Sequence, residues 1–179
     1  MKLPHASSDD PLLFATTVLL YVVCAFLLIA LVALAIALPT VGVAWNHLAA
    51  EILKSYPDAS TNHLLPAIMA ALALGIGVVV LALQFIRKLL QIIRTVGDGD
   101  PFDAANADRL QAMAGLSLGI QITGFIMGLV VHGISETLKE ADMHYDLEFT
   151  SIILILLLFI LARVFRRGAE MRSELEGTV

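Results

Sequence analysis

The stretch LLFATTVLLYVVCAFLLIALVALAIAL, Leu12–Leu38, contains no charged residue and no proline. A helix rises about 1.5 Å per residue and the hydrocarbon of a bilayer is about 30 Å thick, so this one run is long enough to cross. Only helices and closed barrels satisfy the backbone in lipid, and barrel strands alternate apolar and polar residues with period two, which this stretch does not. It reads as a transmembrane helix. Working outward, Ala67–Ile86 and Ala112–Ile134 are also free of charge. A fourth run, Phe149–Phe165, holds Arg163 near one end, where a long side chain can reach the headgroups. Its centre, Ile152-Ile153-Leu154-Ile155-Leu156-Leu157-Leu158, is apolar on every side, as a buried or lipid-embedded helix must be.

The whole chain fits this reading. Of 179 residues, 59% are hydrophobic and 15% charged, with a mean hydropathy of +0.87, whereas soluble domains carry about 25% charged residues. The expected fold is all-α, a four-helix transmembrane bundle with helical cytoplasmic extensions, forming a single membrane domain over residues 1–179. The net charge of −5 falls on loops and tails, and no basic stripe interleaved with aromatics appears, so direct nucleic-acid contact is not expected. The single cysteine, Cys24, lies in the first span and excludes an intramolecular disulfide. Ala35-Ile36-Ala37 resembles a signal-peptide cleavage site. The apolar run before it is too long, however, and Ser7-Ser8-Asp9-Asp10 stands where a positive region belongs, so an uncleaved first helix is expected.

Four spans at about 12–38, 67–86, 112–134 and 149–165 leave an N-tail, outer loops 39–66 and 135–148, a central loop 87–111 and a tail 166–179. Nine Lys and Arg residues fall on one side: Lys2, the loop residues Arg87, Lys88, Arg94 and Arg109, and Arg163, Arg166, Arg167 and Arg172 at the C-terminal end. Lys54 and Lys139 alone fall on the other. By the positive-inside rule the N-tail, central loop and C-tail are cytoplasmic, which in a bacterium means the inner membrane.

The first outer loop is bounded by Pro39 and Pro66, and the spacing of Val41, Trp45, Leu48, Ile52 and Leu53 predicts a helix over 41–56 with one apolar face. The second is acidic, with Glu136, Glu140, Asp142, Asp146 and Glu148, and begins as an extension of the third helix. On the opposite side the second helix continues to Gly97, with Gly97 and Gly99 as its stop. Asp100-Pro101 then reads as an N-cap and first helical residue, with Asp103 complementing the dipole. The fourth helix extends through Arg166–Glu176, where Arg166/Glu170 and Arg172/Glu176 are spaced for ion pairs.

Helices in lipid associate through close contact rather than hydrophobic drive, so Ala71/Gly75, Ala73/Gly77, Gly115/Gly119 and Gly124/Gly128 mark candidate contact faces. Ser117, Gln121, Gly124, Gly128 and His132 share a face of the third span, expected to look inward. Ser117, Gln121 and His132 could form a polar path for an ion or small molecule. No carboxylate or lysine lies at midplane and no proline breaks a span, so helix contact is the simpler reading. His47/Glu51 and His132/Glu136 are spaced to share a metal, and His63 and His144 fall on the same outer side; solvated loop histidines are the default reading of all four. Asp98, Asp100 and Asp103 suggest a calcium loop, but Pro101 and Arg109 do not fit one. No phosphate loop, nucleophile elbow, paired catalytic carboxylates or HExxH motif is present, and no enzyme activity, cofactor or resident metal is expected.

Gly99-Asp100-Pro101-Phe102 followed by Asn106, Arg109 and Leu110, together with Leu161-Ala162-Arg163-Val164-Phe165-Arg166-Arg167-Gly168-Ala169-Glu170, resembles a family of bacterial four-helix membrane proteins known only as a domain of unknown function. The resemblance covers most of the chain. Members are often encoded beside a small helix-turn-helix regulator, which implies a cytosolic protein partner. The expectation is a non-enzymatic regulatory or scaffolding protein acting through Asp100, Phe102, Asn106 and Arg109 in the loop and Arg166, Arg167 and Glu170 in the tail; that these residues only cap helices and tie the loop to the tail is an equal reading of them. A transporter or channel-like subunit is the alternative, and a homo-oligomer remains open.

Overall fold

The computed structural model describes residues 11–57, 61–138 and 149–176. These form five helices: α1 (Pro11–Val43), α2 (Trp45–Ser55), α3 (Leu64–Gly97), α4 (Ala104–Leu138) and α5 (Phe149–Glu176). Of these, α1, α3 and α4 are long and apolar enough to cross a membrane. Each exceeds the hydrocarbon thickness, since 33 to 35 residues correspond to about 50 Å of helix.

Helix α1 runs beyond its expected end, through Pro39 to Val43. The proline supplies no N–H at this last stretch of the helix, while the Thr40 hydroxyl bonds back to the Ile36 and Ala37 carbonyls at 2.9 Å. A single residue, Ala44, joins α1 to α2, which turns Trp45, Ala49 and Ile52 to its half-buried side, with Tyr56 half-buried just past its end. Leu48 and Leu53, expected on that face, are exposed. Pro66 likewise lies inside the first turn of α3, where a missing N–H costs nothing. The acidic residues Glu140, Asp142, Asp146 and Glu148, and His144, lie outside the described residues.

By internal contacts the chain divides into two compact units. One contains Leu81–Gly119 and Glu148–Val179 with Met1–Phe26. Its core is Ile92 of α3, Leu110, Met113 and Ala114 of α4, and Leu158 and Ala162 of α5, with Phe85, Leu89, Val96, Leu161 and Phe165 against it. The other contains Leu27–Val80 and Ile120–Leu147. There Gly75 meets Leu34 of α1 and Gly77 meets Thr123 of α4, so these glycines sit at helix contacts as expected.

In the first unit the pair Gly115/Gly119 splits. A Cβ on Gly119 would stand 3.5 Å from Leu81 Cδ1, whereas one on Gly115 would meet open space. Gly119→Leu is therefore expected to destabilise the protein in detergent by about 1–3 kcal/mol through overfilling, and Gly115→Leu to be near neutral. Thermal unfolding of both variants checks this. Equal effects would mean that neither glycine is chosen for contact.

Candidate functional site

The end of α3 and the start of α4 are fixed by local chemistry. Gly99 has a φ of +83°, a conformation that glycine adopts without penalty. Around it the Asp100 N–H donates to the Thr95 carbonyl at 2.9 Å and the Gly99 N–H to Val96 at 3.0 Å, the two bonds of a Schellman stop. Helix α4 then begins at Ala104, three residues later than the Asp-Pro pair suggests. The cap is Asp103, whose Oδ1 accepts from the Ala105 N–H at 2.9 Å. Pro101 and Phe102 instead form a turn.

Asn106 ties these pieces together. It is 0% exposed, and its Nδ2 donates to Thr95 Oγ1 at 2.8 Å and to the Pro101 carbonyl at 3.0 Å. Its Oδ1 accepts from Arg109 Nη1 at 2.7 Å. The Thr95 hydroxyl has one proton, which serves the Ile92 carbonyl at 2.8 Å. Arg109 also reaches the Gln91 carbonyl at 3.5 Å. One amide thus joins the last turn of α3, the turn after it and the first turns of α4. Asn106 cannot meet a partner from this position, because both ends of its amide are already consumed within the chain.

Helix α5 is bound to the same assembly. The Phe102 ring lies 5.4 Å from that of Phe165, tilted by 41°, and rests against Gly168. Arg166 Nη2 contacts Asp108 Oδ1 and Gln111 Oε1, both at 2.9 Å. Arg172 pairs with Asp100. The Arg166 contacts correct the sequence reading, which pairs that residue with Glu170 along one helix, while the Glu176 side chain expected beside Arg172 lies outside those described. Here both arginines reach off α5, and Glu170 is taken by Arg167 at 3.2 Å. Of the seven expected docking residues, only Arg167 and Glu170 are exposed without bonding another segment; Phe102, Asn106 and Arg109 hold the assembly, and Asp100 and Arg166 bridge it. Thr95, Asp108, Gln111 and Gly168 complete it, and sequence spacing did not single them out.

The face of α4 expected to look inward does so along most of its length, Gly124 included, and departs from the expectation at His132. Ser117 and Gln121 are half-buried, Gly128 is buried, and His132 is exposed. His132 lies less than two turns from the end of α4 and contacts Glu136 at 3.5 Å, so it turns outward to a carboxylate one turn on. Glu51, spaced to share a metal with His47, is paired with Lys54 at 3.0 Å. Among the described residues no three His, Cys, Asp or Glu side chains converge as a metal site.

No curated protein and no solved structure matches this sequence. Residues 47–179, from α2 to the C-terminus, match the family model described as "Protein of unknown function (DUF2975)". That match covers the loop, the tail and every residue of the assembly built around Asn106, and on it the chain belongs to the DUF2975 family.

Proposed function

We propose that this chain is a four-span, non-enzymatic protein of the bacterial inner membrane with both termini in the cytoplasm. It acts as a regulatory or scaffolding component, presenting the loop and tail to a cytosolic protein such as a small helix-turn-helix regulator. The observation that carries the reading is the order of the loop and tail. A Schellman stop, an aspartate cap, a saturated buried asparagine and two ion pairs between distant segments hold a short loop and a helical tail in one arrangement. Exposed ion pairs contribute only about 0–1 kcal/mol each, so they do little for stability, while a fixed charged surface suits recognition.

Support for α5 as the fourth span comes from its surface. Ile155, Leu158 and Ala162 face the core, while Ile153, Leu154, Leu156, Leu157 and Ile160 are exposed around the rest of the helix. So much apolar surface suits lipid. The sidedness rests on the nine-to-two distribution of Lys and Arg.

The test uses side chains that face outward from the assembly. Asp98→Lys and Met171→Glu, both at exposed positions, are expected to reduce recovery of a small DNA-binding protein on the solubilised variant relative to wild type while leaving thermal stability unchanged; His47→Ala is expected to change neither. A cysteine at Asp98, in a Cys24→Ser background, is expected to resist an impermeant thiol reagent added to intact spheroplasts. Unchanged recovery from both variants overturns the docking surface, and labelling at Asp98 overturns the sidedness.

A further inference from the structure

A groove of about 710 Å³ lies between α4 and α5, lined by Gln111, Phe159, Ile160, Arg163, Arg166 and Arg167 among others. Its chemistry changes along α5. Phe159 and Ile160 form an apolar end, and Arg163, Arg166 and Arg167 follow within two turns, on the order of 12 Å. Three guanidiniums face the groove against one carboxylate, Glu170. Arg166 is already held by Asp108 and Gln111, which fixes its direction, and Arg167 contacts Glu170. Arg163 makes no ion pair among the described residues.

We propose that this groove binds an anionic phospholipid, with the phosphate at Arg163 and Arg167 and an acyl chain along Phe159 and Ile160. This rests on the reading of α5 as a span that leaves the membrane near Arg163. Guanidinium groups offer paired N–H donors that match phosphate oxygens, and basic pockets beside spanning helices recognise acidic headgroups. The order of the groove is that of the lipid itself: apolar, then anionic within a few ångströms. A soluble phosphate would use the arginines and leave Phe159 and Ile160 unused.

The test uses the full chain purified in a neutral detergent, with short-chain phosphatidylglycerol, short-chain phosphatidylcholine and inorganic phosphate as probes. Phosphatidylglycerol is expected to raise the unfolding temperature and to be retained in native mass spectrometry, and the other two are not. Arg163→Gln with Arg167→Gln is expected to weaken phosphatidylglycerol binding on the order of tenfold, Arg163→Lys to weaken it less, and Arg87→Gln with Lys88→Gln on α3 to leave it unchanged. Arg163 and Arg167 are both exposed, so helical content and monodispersity should survive and can be checked directly. Equal effects of the two lipids, an equal response to inorganic phosphate, or equal losses in the groove and α3 variants would each overturn the proposal. Micelles have no sides, so these outcomes stand apart from the thiol-labelling result.

Discussion

Asn106→Ala is expected to destabilise the protein by about 2–4 kcal/mol, because each buried polar group left without a partner costs about 1–3 kcal/mol. The substitution removes two donors and one acceptor from a position with no exposure. It strands the Pro101 carbonyl and the Thr95 hydroxyl oxygen, and leaves Arg109 with only its 3.5 Å contact to the Gln91 carbonyl. Arg109 is partly exposed and recovers some hydration, which keeps the cost below the sum of its parts. Asn106→Asp should be milder. A carboxylate still accepts from Arg109, and the Thr95 hydroxyl can rotate from the Ile92 carbonyl to donate to it, so the losses are the bonds to Pro101 and Ile92 while the ion pair with Arg109 is gained. Asp108→Asn, at an exposed ion pair, should cost no more than about 1 kcal/mol. Thermal unfolding in detergent ranks the three. An alanine variant as stable as the wild type would mean that the asparagine network holds nothing together.

This prediction reverses what the sequence suggests. Asn106 stands one turn before Arg109, and the sequence reading places both among the residues that meet a partner. Its burial follows from contacts to Thr95 and Pro101, and only the folded turn brings those groups to it. The same turn explains the displaced helix start. Asp100 and Asp103 can each cap a helix, and Pro101 favours the earlier choice. Asp100 is instead drawn to Arg172, a residue 72 positions away, and Phe102 to α5. Local propensity cannot anticipate partners at that separation.

The spans show the opposite limit. Their existence is plain from hydropathy, but their orientation in the fold is not. Along α1 the half-buried positions include Leu13, Thr17, Leu20, Cys24, Leu27, Leu31, Leu34 and Leu38, spaced alternately by four and three. That is the seam of a helix laid along others. Residues off the seam, such as Phe14, Phe26 and Ile29, are equally apolar. Lipid and protein neighbours select the same residue types, so the contact face leaves no hydropathy signature. Only small residues mark it: Gly75, Gly77 and Gly119 do, and Gly115 does not.

The second large effect is expected at Gly168, and its sign should depend on another residue. A Cβ built there would lie 2.6 Å from Phe102 Cδ1 and 2.9 Å from Cε1, distances that no relaxed structure holds. Both are ring atoms of a side chain held against Phe165, so the ring must leave its place. Gly168→Ala should then cost about 1–3 kcal/mol, as overfilled sites do, including the loss of an aromatic contact worth about 0.5–1.5 kcal/mol. In a helix interior, however, alanine is preferred to glycine by about 1 kcal/mol, and that preference is masked only while the ring is present. With Phe102→Ala as background, Gly168→Ala should be neutral or stabilising. The double-mutant cycle measures this coupling directly, since the two residues touch and share no other obligatory partner. An unchanged cost of Gly168→Ala in both backgrounds would mean that the glycine answers to the α5 backbone alone and that Phe102 does not lock the loop to the tail.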